Sequence, residues 1–142
     1  MDELLQLGKQ ILASQPFSTL VGAELTAFSL GRVELAVPIT PNLKQQNGFV
    51  HGGVISYAAD NALTFAGGSA LGPAVVTSEY KINYLKPAMG TLLIARATVI
   101  HSGKAQAVCR CEIFTVNDGK EELCAVSQGT IARIGRSPGD HA

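Results

Sequence analysis

Apolar positions recur along the chain with two periods, and the switches between them predict the elements. Leu4, Leu7, Ile11 and Leu12 fall at helical spacing, so residues 2–14 read as a short amphipathic helix that "QPF" then breaks. Residues 21–39 read as two strands joined around Leu30-Gly31. In the second, Val33, Leu35 and Val37 alternate with Arg32, Glu34 and Ala36. Pro38 and Pro41 end that strand, and "TPNLKQQNG" is a polar loop. From Gly53 to Ala70 the pattern changes. "GVISYAADNALTFAGGSA" is too long and too rich in alanine for a strand, and it reads as a helix whose C-terminal end Gly67-Gly68 loosens. Its small residues occur all round, as in a helix buried on every side.

The remainder is strand-like. Residues 74–86, 91–101, 105–117 and 122–134 are rich in Val, Ile, Thr and Tyr. Pro87-Ala88-Met89-Gly90, Ser102-Gly103 and Asn117-Asp118-Gly119 separate them, the last a good hairpin signal. Four long strands joined by tight turns predict an antiparallel meander. One α+β domain of 142 residues follows, an antiparallel sheet wrapped around a central long helix. The tail "GRSPGDHA", from about residue 135, is expected to fray.

Composition narrows the function classes. Hydrophobic residues make up 46% and charged residues 15%, the balance of a folded globular chain. Lys+Arg and Asp+Glu both number 11, so nothing marks a general nucleic-acid binder, which needs a basic surface. "MDELLQLGKQILASQ" lacks the basic start and apolar block of a signal peptide, and no apolar run approaches the ~20 residues that span a bilayer. A soluble cytoplasmic protein is the expectation. Cys109, Cys111 and Cys124 fit no common zinc spacing, and no metal is expected. Cys109 and Cys111 alternate with Arg110 and Glu112, so they should share the inner face of a strand as reduced, buried thiols.

The chemistry concentrates in "NGFVHGGVISYAAD", Asn47 to Asp60. Gly52 and Gly53 stand where loop becomes helix, with free N–H groups and the positive end of the helix dipole. That is a site for a carbonyl oxygen gaining negative charge, although a tight turn alone also calls for glycine. His51 reads as a cap or a packing residue, or as a group fixing the Gly52 N–H. Asp60 is too far into the helix for a cap, and no neighbour on its helix offers a salt bridge. An exposed carboxylate is the plain alternative; in an apolar cleft the same group would act as a base. Gly52 and Asp60 lie eight residues apart, about 12 Å along one helix. Either they do unrelated jobs, or two chains pair so that Gly52 of one faces Asp60 of the other.

This combination resembles the hotdog-fold acyl-CoA thioesterases, in the branch related to the phenylacetate-pathway thioesterase. The residues that carry the likeness are "GFVHGGVISYAAD", "VVTSEYKINYLKPA", "HSGK" and "ELCAVSQGTIARI", within a match from about Phe17 to Ile134. The resemblance implies a hotdog fold and side-by-side dimers, usually paired again into tetramers. It implies Asp60 as the catalytic carboxylate, activating water or attacking directly, the Gly52 N–H polarising the thioester carbonyl, and Thr77 as a hydroxyl holding the water or the carboxylate. The family often has Asn six residues before the His; here that position is Gln45, followed by Gln46 and Asn47, and any of these amides would meet the need. Val50, Gly53 and Ser78 are expected along the substrate. Lys86 and the turn Ser102-Gly103-Lys104, with Arg133 and Arg136, are candidates for the phosphates of coenzyme A, which belongs to the substrate and not to a separate cofactor. Each is also an ordinary surface charge. Two other readings compete: a dehydratase or hydratase on the same fold, which needs a histidine base beside the carboxylate, and an acyl-CoA-binding protein without catalysis.

Overall fold

A computed structural model of the chain describes residues 2–134. Helix α1 covers Glu3–Ala13, with Asp2 capping it through a hydrogen bond from the Leu4 N–H. The chain does not then run straight into a strand. Pro16 starts a second short helix, α2, Pro16–Val21, which Gly22 closes in the left-handed conformation (φ 90°). Proline breaks a helix from inside but starts one well, because the first helical residue needs no N–H partner. Strands β1 (Glu24–Ser29) and β2 (Arg32–Pro38) form the expected hairpin. Helix α3, Gly52–Leu71, is followed by β3 (Val75–Tyr84), β4 (Leu92–Ser102), β5 (Gln106–Asn117) and β6 (Lys120–Arg133).

The six strands form one antiparallel sheet in the order β1-β2-β4-β5-β6-β3, with α3 packed against five of them. The hairpin at Asp118-Gly119 has both φ angles positive (53° and 76°), as a two-residue turn of this hand requires. The four-strand meander does not form. Only β4, β5 and β6 follow one another; β3 pairs with β6 at the far edge, and β4 pairs with β2. Residues 85–91 therefore form a crossing and not a tight turn. They bond to Cys124 on β6 and Val116 on β5 as they pass, and Ala88 receives the Val50 N–H.

Along β2, β4 and β5 the alternating residues Val33, Leu35, Val37, Leu93, Ala95, Ala97, Cys109, Cys111 and Ile113 turn inward and are buried. Cys124 on β6 is buried with them. Burial pushes the three thiols up, to about 11 for Cys109 and Cys124 and about 12 for Cys111. At neutral pH they are packing groups and not nucleophiles.

Two expectations for α3 change. Gly67 and Gly68 stay inside the helix and do not loosen it; Gly72 is its cap. Gly67 is there because β6 is close: a Cβ on it would stand 2.6 Å from Ile131 Cβ. Nor is the helix buried on every side. Ala58, Ala59, Ala62, Leu63 and Ala66 are fully buried, while Ser56, Tyr57, Asp60, Asn61 and Thr64 make a half-buried polar stripe. Short polar side chains scattered among alanines hide such a stripe from a count of small residues.

Candidate active site

The site is a ridge of α3 facing the edge strand β3. Gly52, Ser56, Asp60 and Thr64 are spaced by four and line one row of the helix. Hydroxyls of β3 meet that row step by step. Tyr84 Oη donates to the Gly52 carbonyl at 3.1 Å, and the Tyr80 and Ser56 hydroxyls bond to each other. Thr77 Oγ1 donates to Asp60 Oδ1 at 2.5 Å and lies 2.9 Å from Thr64 Oγ1, which donates to the Asp60 carbonyl.

A regular strand could not make this row, because 77 and 80 would point to opposite faces. The register between β3 and β6 slips between Thr77 and Glu79, leaving Ser78 without a partner residue on β6. This bulge moves the phase by one, so Thr77, Tyr80, Ile82 and Tyr84 all turn to the helix. Ser78 is thereby directed away from the expected substrate side; its hydroxyl donates to the Thr130 carbonyl.

Beside Asp60, a polar cluster ties α2 to α3. Tyr57 Oη donates to Ser18 Oγ, and Ser18 Oγ to Gln15 Oε1, both at 2.6 Å. Asn61 Nδ2 donates to Gln15 Oε1 at 3.0 Å. Phe17, 58% exposed, meets the Tyr57 ring edge-on at 5.3 Å. These groups and Val75, Val76 and Thr77 enclose an open cleft of about 480 Å³ with Asp60 on its wall. Asp60 Oδ2 accepts no hydrogen bond among the described residues, so one oxygen is held by Thr77 and the other is left to the cleft.

At the other end of the ridge, His51 caps α3: its Nδ1 accepts the Gly53 N–H at 2.8 Å. That bond engages the Gly53 amide with its own cap. The Gly52 N–H has no acceptor among the described residues. Gln45 does not present its carbonyl oxygen outward; Oε1 closes its own turn by accepting from the Asn47 N–H (2.5 Å) and the Phe49 N–H (3.4 Å). Asn47 is exposed on that turn. Val50 is a core residue at 4% exposure, because its bridge to Lys44 tucks it beneath the start of α3. It does not line the cleft.

The phosphate candidates are scattered. Lys86 Nζ is paired with Glu122 at 2.6 Å. In the β4–β5 turn the Gly103 N–H is used by the Gln106 carbonyl and the Ser102 hydroxyl leans on the Gly103 carbonyl, so the amides do not gather as a phosphate cradle. Lys104 stands exposed on the turn. The row Ala107–Ile131–Thr77 puts Ala107, at the foot of that turn, two strand spacings from Thr77, roughly 10 Å, with Lys104 further out. Arg133 ends β6 nearby, while Arg136 and the tail lie outside the described residues. Sequence reasoning did not find Ser56, Thr64, Tyr80 and Tyr84, nor the Gln15–Ser18–Tyr57–Asn61 cluster. The step of four through Ser56, Asp60 and Thr64 was the available signal.

Comparison with known proteins identifies the family. A family model described as the thioesterase superfamily matches residues 47–122, which span the HGG turn, all of α3 and the hydroxyl-bearing strand. The acyl-coenzyme A thioesterase PaaI of Escherichia coli K12 is 31% identical over 116 residues, covering 81% of this chain and 80% of that one. The 1,4-dihydroxy-2-naphthoyl-CoA hydrolase of Listeria monocytogenes is 29% identical over 114 residues, covering 79% and 90%. Among solved structures, a thioesterase family protein from Silicibacter pomeroyi superposes with a TM-score of 0.86 at 34% identity, covering 93% of this chain and 99% of that one. The matched span, the shared identities and the sheet wrapped on one long helix together place this chain in the thioesterase superfamily, with its hotdog fold.

Proposed function

We propose that this protein hydrolyses acyl-CoA thioesters to the free acid and coenzyme A. The observation that carries the reading is the state of Asp60: a carboxylate on the wall of a cleft, one oxygen fixed by Thr77 and the other without a hydrogen-bond partner among the described residues. Two routes are open to it. As a base, Oδ2 takes a proton from water while the water oxygen adds to the thioester carbonyl, and collapse of the adduct expels the coenzyme A thiolate. As a nucleophile, Oδ2 adds to the carbonyl itself, the thiolate leaves, and water opens the resulting anhydride. Either route builds negative charge on the carbonyl oxygen, which an uncommitted helix N-terminal N–H such as that of Gly52 would stabilise. His51 serves as a cap through Nδ1, which weighs against the dehydratase reading.

About 12 Å of helix separates Gly52 from Asp60, so one chain cannot bring both to a single carbonyl. The reading therefore requires a homodimer, or a dimer of dimers, in which each site takes Gly52 from one chain and Asp60 from the other. Mixing tests this. Gly52→Pro removes the N–H at a first helical position that tolerates proline, and its Cβ would meet the Tyr84 ring at an ordinary 3.6 Å. Gly52→Pro and Asp60→Asn should each be nearly inactive. Refolded together at equal amounts, they should recover about a quarter of wild-type activity, because half the dimers would then hold one intact site of two. A fully active monomer, or no recovery on mixing, would refute the shared site.

Lys104 is exposed on the β4–β5 turn and makes no ion pair among the described residues, so it is free to meet a phosphate of coenzyme A. Lys104→Ala should raise KM for acyl-CoA about fivefold with kcat nearly unchanged, since contacts to the nucleotide end are alike in ground and transition states. The effect should shrink in high salt and disappear with an acyl-pantetheine. An equal rise with the truncated substrate would show that Lys104 acts through structure.

A further inference from the structure

An apolar cavity adjoins the cleft at Asp60. Its volume is about 270 Å³, and it lies between α1, α3 and β1. It shares Gln15, Asn61, Thr64 and Val75 with the cleft, so those side chains form the boundary between the two spaces. Beyond that junction the walls are Leu4, Leu7 and Ile11 of α1, Phe28 of β1, and Phe65 of α3. The floor is missing a side chain at Gly68, where a Cβ would only touch Val75 Cγ2 at 3.4 Å. Gly68 lies eight residues beyond Asp60, about 12 Å along the helix axis, and the cavity runs on to Gly72 and Pro73. Leu7 at its rim stays 46% exposed.

We infer that this slot receives the far end of the acyl group, and that the substrates are unbranched acyl chains of medium or greater length. The inference rests on the thioesterase reading for the head of the substrate, and on the slot alone for its tail. A short acyl group would end in the open cleft beside Asp60. A straight alkyl chain continuing past Thr64 would leave water for a groove about 12 Å long, walled by leucine, isoleucine and phenylalanine. The hydrogen bond between Gln15 and Asn61 stands at the junction and sets its width. Gln15 joins α1 to α2, so the N-terminal helices act as the wall that selects chain length.

The test uses non-hydrolysable S-alkyl-CoA thioethers with butyl, octyl and dodecyl chains, titrated calorimetrically into the full chain. Wild type should gain about fourfold in affinity per methylene while the slot fills. Gly68→Val fills the floor from within, and Leu7→Trp covers the rim from an exposed position where misfolding is not a concern. Both should cut the dodecyl-to-butyl affinity ratio at least tenfold. A wild-type series with no gain beyond butyl, or ratios unchanged in both variants, overturns the slot. Hydrolysis assays on the matching acyl-CoAs separate the two claims. Hydrolysis with a flat length series removes the slot and leaves the thioesterase reading. A steep length series without hydrolysis removes that reading and leaves an alkyl-binding slot.

Discussion

Asp60→Asn should lower turnover at least ~100-fold while leaving the fold intact. The loss is that typical of a removed general base or nucleophile, since an amide neither takes the proton nor attacks. The fold should survive because the substitution keeps the shape and the acceptor: Asn Oδ1 would still receive the Thr77 hydroxyl now bonded to Asp60 Oδ1 at 2.5 Å. No salt bridge among the described residues involves Asp60, so no partner charge is orphaned. Steady-state kinetics and a thermal melt on the same preparation check both halves. A variant that melts like wild type and retains most of its turnover would remove Asp60 from the mechanism.

Gly129→Ala should damage the site from the opposite side of the strand pair. Gly129 lies across from Tyr80, and an added Cβ would stand 2.5 Å from Tyr80 Cβ and 2.6 Å from the Glu79 carbonyl oxygen. Neither neighbour is the end of a flexible side chain, so β3 itself must move. Overpacking of this kind costs about 1–3 kcal/mol, against which alanine regains roughly 0.5–1 kcal/mol of chain entropy. The net loss should lower the melting temperature by about 5 °C. Because Tyr80 and Thr77 sit on the displaced segment, kcat should fall as well, even at temperatures where the variant is fully folded. Wild-type kcat in a folded Gly129→Ala protein would show that the hydroxyl row tolerates movement of its strand.

Much of this architecture was legible in the residue pattern, and the failures have identifiable causes. The N-terminal helix, the three hairpins, α3 and the inward cysteines follow from local periodicity and turn residues, which the folded chain respects. Strand order does not follow from periodicity. Residues 85–91 carry turn residues, and only the pairing of β3 with β6 makes them a crossing. Pro16 was read as a stop when it was a start. At the site, Asp60 stood out because a lone carboxylate among alanines is conspicuous, and Gly52 because of its place at the helix start. The surroundings of Ser78 and Gly53 were invisible to spacing: a bulge leaves one without a partner residue on β6, and a histidine ring accepts from the amide of the other. The hydroxyls of Tyr80 and Tyr84 escaped notice because the same bulge overrides the alternation that would have placed them.

The buried thiols give the molecule an internal clock. Cys109, Cys111 and Cys124 all lie on the inner face of the sheet, at 0–1% exposure, and burial holds each proton on well above neutral pH. A thiol reagent in solution meets no competent sulfur among the described residues until β5 and β6 part from the helix. Those strands lie at the interior of the sheet, so such parting approaches global opening. Where the reagent captures an opened thiol faster than the sheet recloses, the rate of capture therefore counts openings of the native state directly, in plain buffer and without denaturant.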